Sequence, residues 1–325
     1  VAVASRSAGT GGDFARRFAL AGGAVDSVAA LAAVPGVDAI YVATPNAAHR
    51  DGVLAALAAR KPVLCEKPLA TSHAEGAEIV DAARRAGVFC MEGLWSLCLP
   101  VYRDAFAAVA RGEIGTLREI HGNFAVPNSP DTMPRLFAGP GAGALLDRGV
   151  YLLALSQALL GPLRLCAVRG DVDADGTDLA ATLVLEGADG ARAVLGCAID
   201  RLGGNGLTLV GTTGRIVFDE PLSCPGGYVL RRADPATPFS GPGGLPGPAA
   251  RIKARLAGRP RLRHLARALR SDIRGRPGGL ADQIAHVRAC LARGATESDL
   301  VPLDGSLAVL HLIDAARAAL RNAAP

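Results

Sequence analysis

Three short stretches of the chain hold side chains suited to proton transfer. Thr44, Pro45 and Asn46, with His49 just after them, follow the apolar run VDAIYVAT. Glu66, Lys67 and Pro68 follow a second run, KPVLC. Asp147 and Tyr151 stand four apart at the start of an apolar helical pattern, a spacing that puts both side chains on one helix face. Carboxylate, amine and phenol are all groups that can give or take a proton in a positioned site. Lysine is the informative one. Of 35 basic residues only Lys61, Lys67 and Lys253 are lysines, and an ammonium can be deprotonated where a guanidinium cannot. Taken singly, each residue has a plainer reading. Lys67 is then a surface residue before a turn-forming proline, Tyr151 a core aromatic, and His49 an ordinary helix-surface histidine.

These stretches must be held by a layered frame. VAVAS at residues 1–5 reads as a buried parallel strand, followed by a glycine-rich turn and a helix near 13–21. Residues 37–44 predict a second strand, 46–60 a helix, 61–65 a third strand, 72–86 a helix and 88–91 a fourth strand. Strands alternating with helices predict βαβ units and a doubly wound α/β parallel sheet. The first two clusters then fall on its carboxyl rim, where open α/β sheets bind ligands. After Pro100 the texture changes. A helix near 101–110 and a strand at 117–126 lead to the helix at 145–159. Between 163 and 218 come LRLCAVRGDV, LAATLVLE, ARAVLGCAI and LTLVG, with no room for crossover helices, so this second sheet is predicted to be largely antiparallel. Residues 235–248 read as a Pro/Gly-rich linker, and helices near 280–293 and 305–321 close the chain. The expected division is a dinucleotide-binding domain at 1–99 and an α+β substrate and oligomerisation domain at 100–325, with a basic insert at about 236–279.

The turn that a dinucleotide pyrophosphate needs, G-x-G-x-x-G or -A between strand and helix, does not occur in the chain. Gly9-Thr10-Gly11-Gly12 places Phe14 at the third required position, and the cluster at 139–143 places Leu146 there. The expectation is a sheet lacking its first strand, with one strand–turn–helix unit lying upstream.

Half of the 325 residues are hydrophobic and a fifth charged, which excludes a disordered chain. No apolar run reaches the roughly 18 residues of a membrane helix. The seven cysteines are scattered, odd in number and never C-x-x-C. Neither a disulfide framework nor a metal site is expected, and a cytoplasmic, reducing location fits. The net charge of +5 is local: residues 251–276 carry ten Lys or Arg and one acid, leaving the rest at −4. This is not the surface of a nucleic-acid-binding fold. Leu262, Leu265, Leu269 and Ile273 form a stripe in that segment, which reads either as a solvated helix or as an arm for an anionic surface or partner.

In this order and spacing, VAVASRS, VDAIYVATPNAAH, VLCEKPLA, CMEGLWSLCLP, GALLDRGVY and LVPLDGSLAVL resemble the glucose–fructose oxidoreductase, inositol dehydrogenase and MocA-like family of oxidoreductases over nearly the whole chain. Glu92–Trp95 and Tyr151 resemble most its dimeric dihydrodiol dehydrogenase and xylose dehydrogenase branch. The resemblance implies Lys67, Asp147 and Tyr151 as catalytic residues. Thr44, Pro45, Asn46, His49, Glu66 and Lys67 would lie around a nicotinamide and its ribose. A phenol is a poor base at neutral pH unless a cation favours its phenolate. Lys67 could be that cation, with Asp147 orienting the substrate or holding Lys67 charged.

Ser5 and Arg6 end the first strand where NAD-binding sheets usually carry an acid, and arginine suits a 2′-phosphate, so NADP is expected, with NAD the alternative. The implied activity is hydride transfer at a secondary alcohol of a sugar, polyol or cyclic diol by a homo-oligomer. The alternative is a nucleotide- or sugar-sensing protein of the same fold, or a chain that does not turn over. Two departures bear on the substrate side. Ser96-Leu97-Cys98 follows Trp95 without the branch's usual charge, and Arg148 replaces a usual aliphatic; Trp95 and Arg148 are the expected substrate-side residues, Arg148 either binding an anionic group or pointing outward.

Overall fold

In the computed structural model, residues 1–233 and 279–323 are described. The linker at 235–248 and the basic stripe at 251–276 lie outside the described residues.

The parallel part forms two sheets. Strand β1 (Val3–Ala4) pairs in parallel with β2 (Ala24–Val25). Strands β3 (Ile40–Val42), β4 (Val63–Cys65) and β5 (Cys90–Glu92) pair in parallel in that order. No hydrogen-bonded ladder joins the pair to the trio among the described residues. Helices α1 (Ala8–Arg17), α2 (Val28–Ala33), α3 (His49–Ala58) and α4 (His73–Ala86) connect the strands.

Helix α1 starts earlier than its sequence predicts. Ser7 caps it by accepting from the Thr10 amide at 3.3 Å, so the glycines lie inside the first turns and not before them. The strand β2 and the six-residue helix α2 are too short to show a period, and the sequence reading passes over them. Strand β5 begins two residues and ends one residue later than its expected place.

The second sheet has seven strands in the order β12-β11-β10-β6-β9-β8-β7. They are β6 (Leu117–Ala125), β7 (Leu163–Val172), β8 (Asp178–Gly187), β9 (Arg192–Ala198), β10 (Asn205–Gly211), β11 (Gly214–Phe218) and β12 (Tyr228–Arg232). Only β6 and β9 pair in parallel; the other ladders are antiparallel, as expected. Strand β9 alternates buried and exposed positions over most of its length, so one face meets the core.

Helix α5 (Pro100–Ala110) leads into this sheet, and α6 (Val150–Leu160) lies on it. At the contact, a Cβ on Gly122 of β6 would come within 2.7 Å of Leu152, so the glycine lets α6 sit close. Helices α7 (Gly279–Ala292) and α8 (Leu303–Ala323) end the chain. Asp314 of α8 accepts from the His73 amide of α4 at 2.8 Å, tying the last helix to the parallel part. One continuous apolar cluster runs from Val42 and Cys65 through Leu152 to Leu310.

Candidate active site

The carboxyl ends of β3 and β4 present the first two clusters on one rim, as the alternation of strand and helix predicts. Beyond β4 the chain turns through Glu66, Lys67 and Pro68, and Lys67 reaches across to the second sheet's side. Its Nζ donates to Asp147 Oδ1 and to the Asp147 carbonyl, both at 2.9 Å. The pair is largely buried, with side-chain exposures of 16% and 14%. At such burial, removing one partner costs about 3–5 kcal/mol, so each fixes the other.

Asp147 does not sit in a regular α-helix. Residues Leu145–Gly149 form a π turn that runs directly into α6, a widened turn found disproportionately at functional sites. Tyr151, in the first turn of α6, comes up beside Asp147. Lys67 Nζ lies 5.1 Å from the Tyr151 ring centroid, over its face and not at its hydroxyl. The hydroxyl oxygen instead accepts from Trp95 Nε1 at 2.9 Å.

The two acidic groups are tuned in opposite directions. Burial would raise the Asp147 carboxyl, but Lys67 and Arg148 override it and hold it below the usual carboxylate range. Burial pushes the Tyr151 phenol above its usual value; Glu66 and Asp147 add to this, and the Trp95 N–H and Arg148 oppose it. The Lys67 ammonium is engaged by Asp147, so its place here is to hold that carboxylate, and Tyr151 keeps its proton.

The other expected positions divide. Glu66 accepts from the Tyr41 hydroxyl and, at 3.2 Å, from the Lys67 amide, which leaves it at the rim. Asn46 donates to the Gly141 carbonyl at 2.9 Å, fastening the rim to the loop before the π turn. Thr44 and Pro45 border this rim, but the Thr44 carbonyl faces inward to His49. The helix-surface reading of His49 is a correction: it is fully buried, with Nδ1 2.7 Å from the Pro68 carbonyl and Nε2 2.9 Å from that of Thr44, between two rim turns.

Ser5 and Arg6 lie apart from the three catalytic candidates, at the end of β1. Ser5 Oγ donates to the Ser7 carbonyl at 3.1 Å, and Arg6 is exposed before the N-terminus of α1. No acidic side chain pairs with Arg6 among the described residues, so the helix end and the guanidinium together suit an anion. The residues present therefore fit the two ends of a dinucleotide: an anionic group at Arg6, and a ring at the Glu66–Lys67 rim.

Several residues escape sequence reading. Asp178 of β8 is buried, accepts from the Leu145 amide at 2.6 Å and pairs with Arg317 of α8 at 2.8 Å. It holds the start of the π turn. Phe124 of β6 stacks beside Tyr151 with ring centroids 5.8 Å apart. Gly279 of α7 lies against the Trp95 indole, and the Gln283 amide, buried and without a hydrogen-bond partner, lies by Gly93. Separations of 27 to 190 residues leave no local signal for such contacts.

One grouping of metal-ligating types occurs among the described residues: His286, Cys290 and Asp299. Arg293 already supplies a cation there, donating to Cys290 Sγ at 3.2 Å and to Asp299 at 2.7 Å.

Residues 1–94 match the oxidoreductase family with NAD-binding Rossmann fold, and residues 102–217 match the GFO/IDH/MocA C-terminal domain. Trans-1,2-dihydrobenzene-1,2-diol dehydrogenase of Oryctolagus cuniculus is 30% identical over 324 residues, covering 98% of this chain and 90% of that protein. A 3-ketoreductase from Actinomadura kijaniata, solved with NADP and TDP-benzene, is 25% identical with a TM-score of 0.76, covering 98% of this chain and 89% of its own. The aldose-aldose oxidoreductase from Caulobacter crescentus has the same fold, with a TM-score of 0.80 at 21% identity over 100% of this chain and 90% of its own. With the rim of a Rossmann-type sheet facing Lys67, Asp147 and Tyr151 across to a large mixed sheet, the chain belongs to the GFO/IDH/MocA family of NAD-binding oxidoreductases.

Proposed function

We propose that the chain transfers hydride between a secondary alcohol of a sugar, polyol or cyclic diol and NADP, with Tyr151 as the proton donor and acceptor. The observation that carries this reading is the meeting of Lys67, Asp147 and Tyr151, brought from two elements 80 residues apart into one buried group. The nicotinamide, when bound, supplies or accepts the hydride.

The chain's own residues manage the proton. In reduction a carbonyl carbon gains hydride while its oxygen takes the Tyr151 proton, leaving the phenolate; in oxidation the Tyr151 phenolate oxygen receives the alcohol's proton as hydride leaves the carbon. Because Trp95 donates to the phenol oxygen, the Tyr151 proton points elsewhere and is available to substrate. Burial keeps that proton in place at neutral pH, which suits the donor role. Asp147, held ionised by Lys67 and Arg148, orients a substrate hydroxyl as an acceptor.

NADP is favoured over NAD by Arg6, exposed and without an acidic partner, and by the Ser5 and Ser7 side chains at the start of α1. The rim residues Thr44, Pro45, Asn46, Glu66 and Lys67 border the nicotinamide end, and His49 positions them. On this reading residues 1–99 are the dinucleotide-binding unit, and 100–325 bind substrate and pair two copies through the open face of the large sheet. All seven cysteines are free, which supports a reducing, cytoplasmic location. No helix among the described residues is long and apolar enough to cross a membrane.

Tyr151→Phe tests the assignment. Hydride transfer, followed at the NADPH absorbance, is expected to fall by about 10²–10⁴-fold while nucleotide binding persists. Undiminished turnover would remove Tyr151 from the mechanism. Titration with NADPH and NADH in parallel tests the cofactor, and preference for NADH would reverse that choice.

A further inference from the structure

The proton chemistry does not account for the burial of Arg148. Its Nε lies 3.1 Å from Asp147 Oδ2, yet off the hydrogen-bond line, and is buried with no hydrogen-bond partner. The side chain is 16% exposed. Its guanidinium lies over the Phe124 ring at 4.7 Å, and that ring in turn stacks beside Tyr151. Arginine, ring and phenol therefore form one continuous wall of the site.

Arg148 shares its carboxylate partner with Lys67, and Glu66, the other carboxylate acting at Tyr151, is engaged by the Tyr41 hydroxyl and the Lys67 amide. Asp147 already gives one oxygen to the Lys67 ammonium, so a single carboxylate faces two cations within 3.1 Å. Arg135, exposed in the turn before the glycine loop, adds a third positive field at Asp147. A guanidinium offers five donors in a planar fork, and a buried donor left unmatched costs about 1–3 kcal/mol. Asp147 Oδ2 offsets the charge at Nε without taking its hydrogen bond, no hydrogen bond to either terminal nitrogen occurs among the described residues, and the fork geometry matches a carboxylate or a phosphate.

We propose that Arg148 recognises an anionic group on the substrate, a carboxylate or a phosphate, carried on the same small polyhydroxy skeleton whose alcohol meets Tyr151. The preferred substrates are then sugar acids or sugar phosphates and not neutral sugars. This rests on the hydride-transfer reading only for the place of the reacting carbon. The anion contact itself stands on the Arg148 guanidinium, which shares its one carboxylate with Lys67 and makes no hydrogen bond among the described residues.

The chain's one tryptophan reports directly on the site, because it is Trp95, bonded to Tyr151. With the full chain and saturating NADP⁺, Trp95 fluorescence is followed during titration with D-glucose, D-glucuronate and D-glucose 6-phosphate, three probes on one skeleton. At least one anionic probe is expected to bind about 10–100-fold more tightly than glucose, as a charge-assisted fork contact would give. The tighter of the two says whether carboxylate or phosphate is the group recognised. Arg148→Ile is expected to bring the ratio to within about twofold, and Arg148→Lys to keep part of it. If Arg148→Ile fails to fold, Arg148→Gln serves in its place.

Equal binding of all three probes, binding of none by folded protein, or a preference that survives Arg148→Ile would each overturn the proposal. Hydride transfer with the same probes separates it from the activity. Selective binding without turnover sinks the proposed reaction and leaves anion recognition standing; turnover without selectivity does the reverse.

Discussion

Trp95 donates its indole N–H to the hydroxyl oxygen of Tyr151 at 2.9 Å, joining the turn after β5 to the first turn of α6. This one bond sets where the phenol's own proton can point. It also favours the phenolate in a place where burial opposes it. Proton affinity at the candidate site is thus a balance between depth and one indole.

Trp95→Phe keeps the aromatic bulk and removes the donor. The Tyr151 pKa is then expected to rise further, because the contribution that lowers it is gone. In the oxidative direction the limb of kcat/KM that rises with pH should move to higher pH, with a loss of about tenfold at neutral pH. A pH profile in both proteins decides it, and coincident profiles would uncouple the indole from the proton.

Glu92 makes a second, separable pH prediction. It is almost wholly buried, accepts from the Leu69 amide at 2.9 Å through Oε1, and leaves Oε2 without a partner. Burial raises its carboxyl above the usual value, and the nearby Glu66 adds to this against weaker opposing contacts. A carboxyl raised in the folded state contributes stability that is complete below the unfolded value of about 4.3 and is lost as pH rises through the folded value. Glu92→Gln keeps the Leu69 contact and cannot ionise. Its melting temperature is expected to exceed that of the parent by about 2–4 °C at pH 8, with the gap closing towards pH 4. A gap that widens in acid would reverse the sign of the argument.

Asp178 and Arg317 are expected to matter more for stability than any surface pair. Arg317 donates to the Asp178 carboxylate and to the Ala142 carbonyl, and Asp178 accepts from Leu145, so the two clamp the chain on both sides of Gly143. Gly143 has φ of +108°, and a Cβ there would lie 2.3 Å from Asp178 Oδ1. Asp178→Asn leaves a buried guanidinium without its counter-charge, at a cost of about 3–5 kcal/mol in urea unfolding. The π turn is freed with it, so kcat should fall even at temperatures where the variant is folded. A variant as stable as the parent would show that the clamp is not closed in solution.

That clamp also shows what a sequence can convey. The strand–helix alternation, the rim clusters, the largely antiparallel second sheet and the meeting of Lys67 with Asp147 and Tyr151 all follow from periodicity, residue type or resemblance, whereas the parallel β6–β9 pairing does not. Asp178 and Arg317 stand 139 residues apart on elements whose patterns say only that one face is buried, so nothing local announces their pairing. The burial of His49 escaped the sequence for a different reason. A histidine at a helix start has the same spacing whether it faces solvent, a ligand or two buried carbonyls. The π turn at Leu145–Gly149 is likewise invisible, since one extra residue in a turn leaves an apolar pattern nearly unchanged.

Gly279 carries the last prediction because it supports Trp95 from behind. It opens α7, and a Cβ built on it would fall 1.9 Å from Trp95 Cε3 and 3.0 Å from Leu99 Cδ2. The indole ring cannot bend away within its own plane, so Gly279→Ala must displace either Trp95 or the start of α7. Either movement lengthens the Trp95–Tyr151 bond. The expected signature is a changed Trp95 emission, the same upward shift of the oxidative pH limb as in Trp95→Phe, and a loss of about tenfold in kcat/KM. Far-ultraviolet dichroism should be unaltered, since the displacement is local to the Trp95 contact. Adding Trp95→Phe to Gly279→Ala should cost little more than either alone, because both changes remove one contact. Fully additive losses would place the effect of Gly279 elsewhere than on the indole.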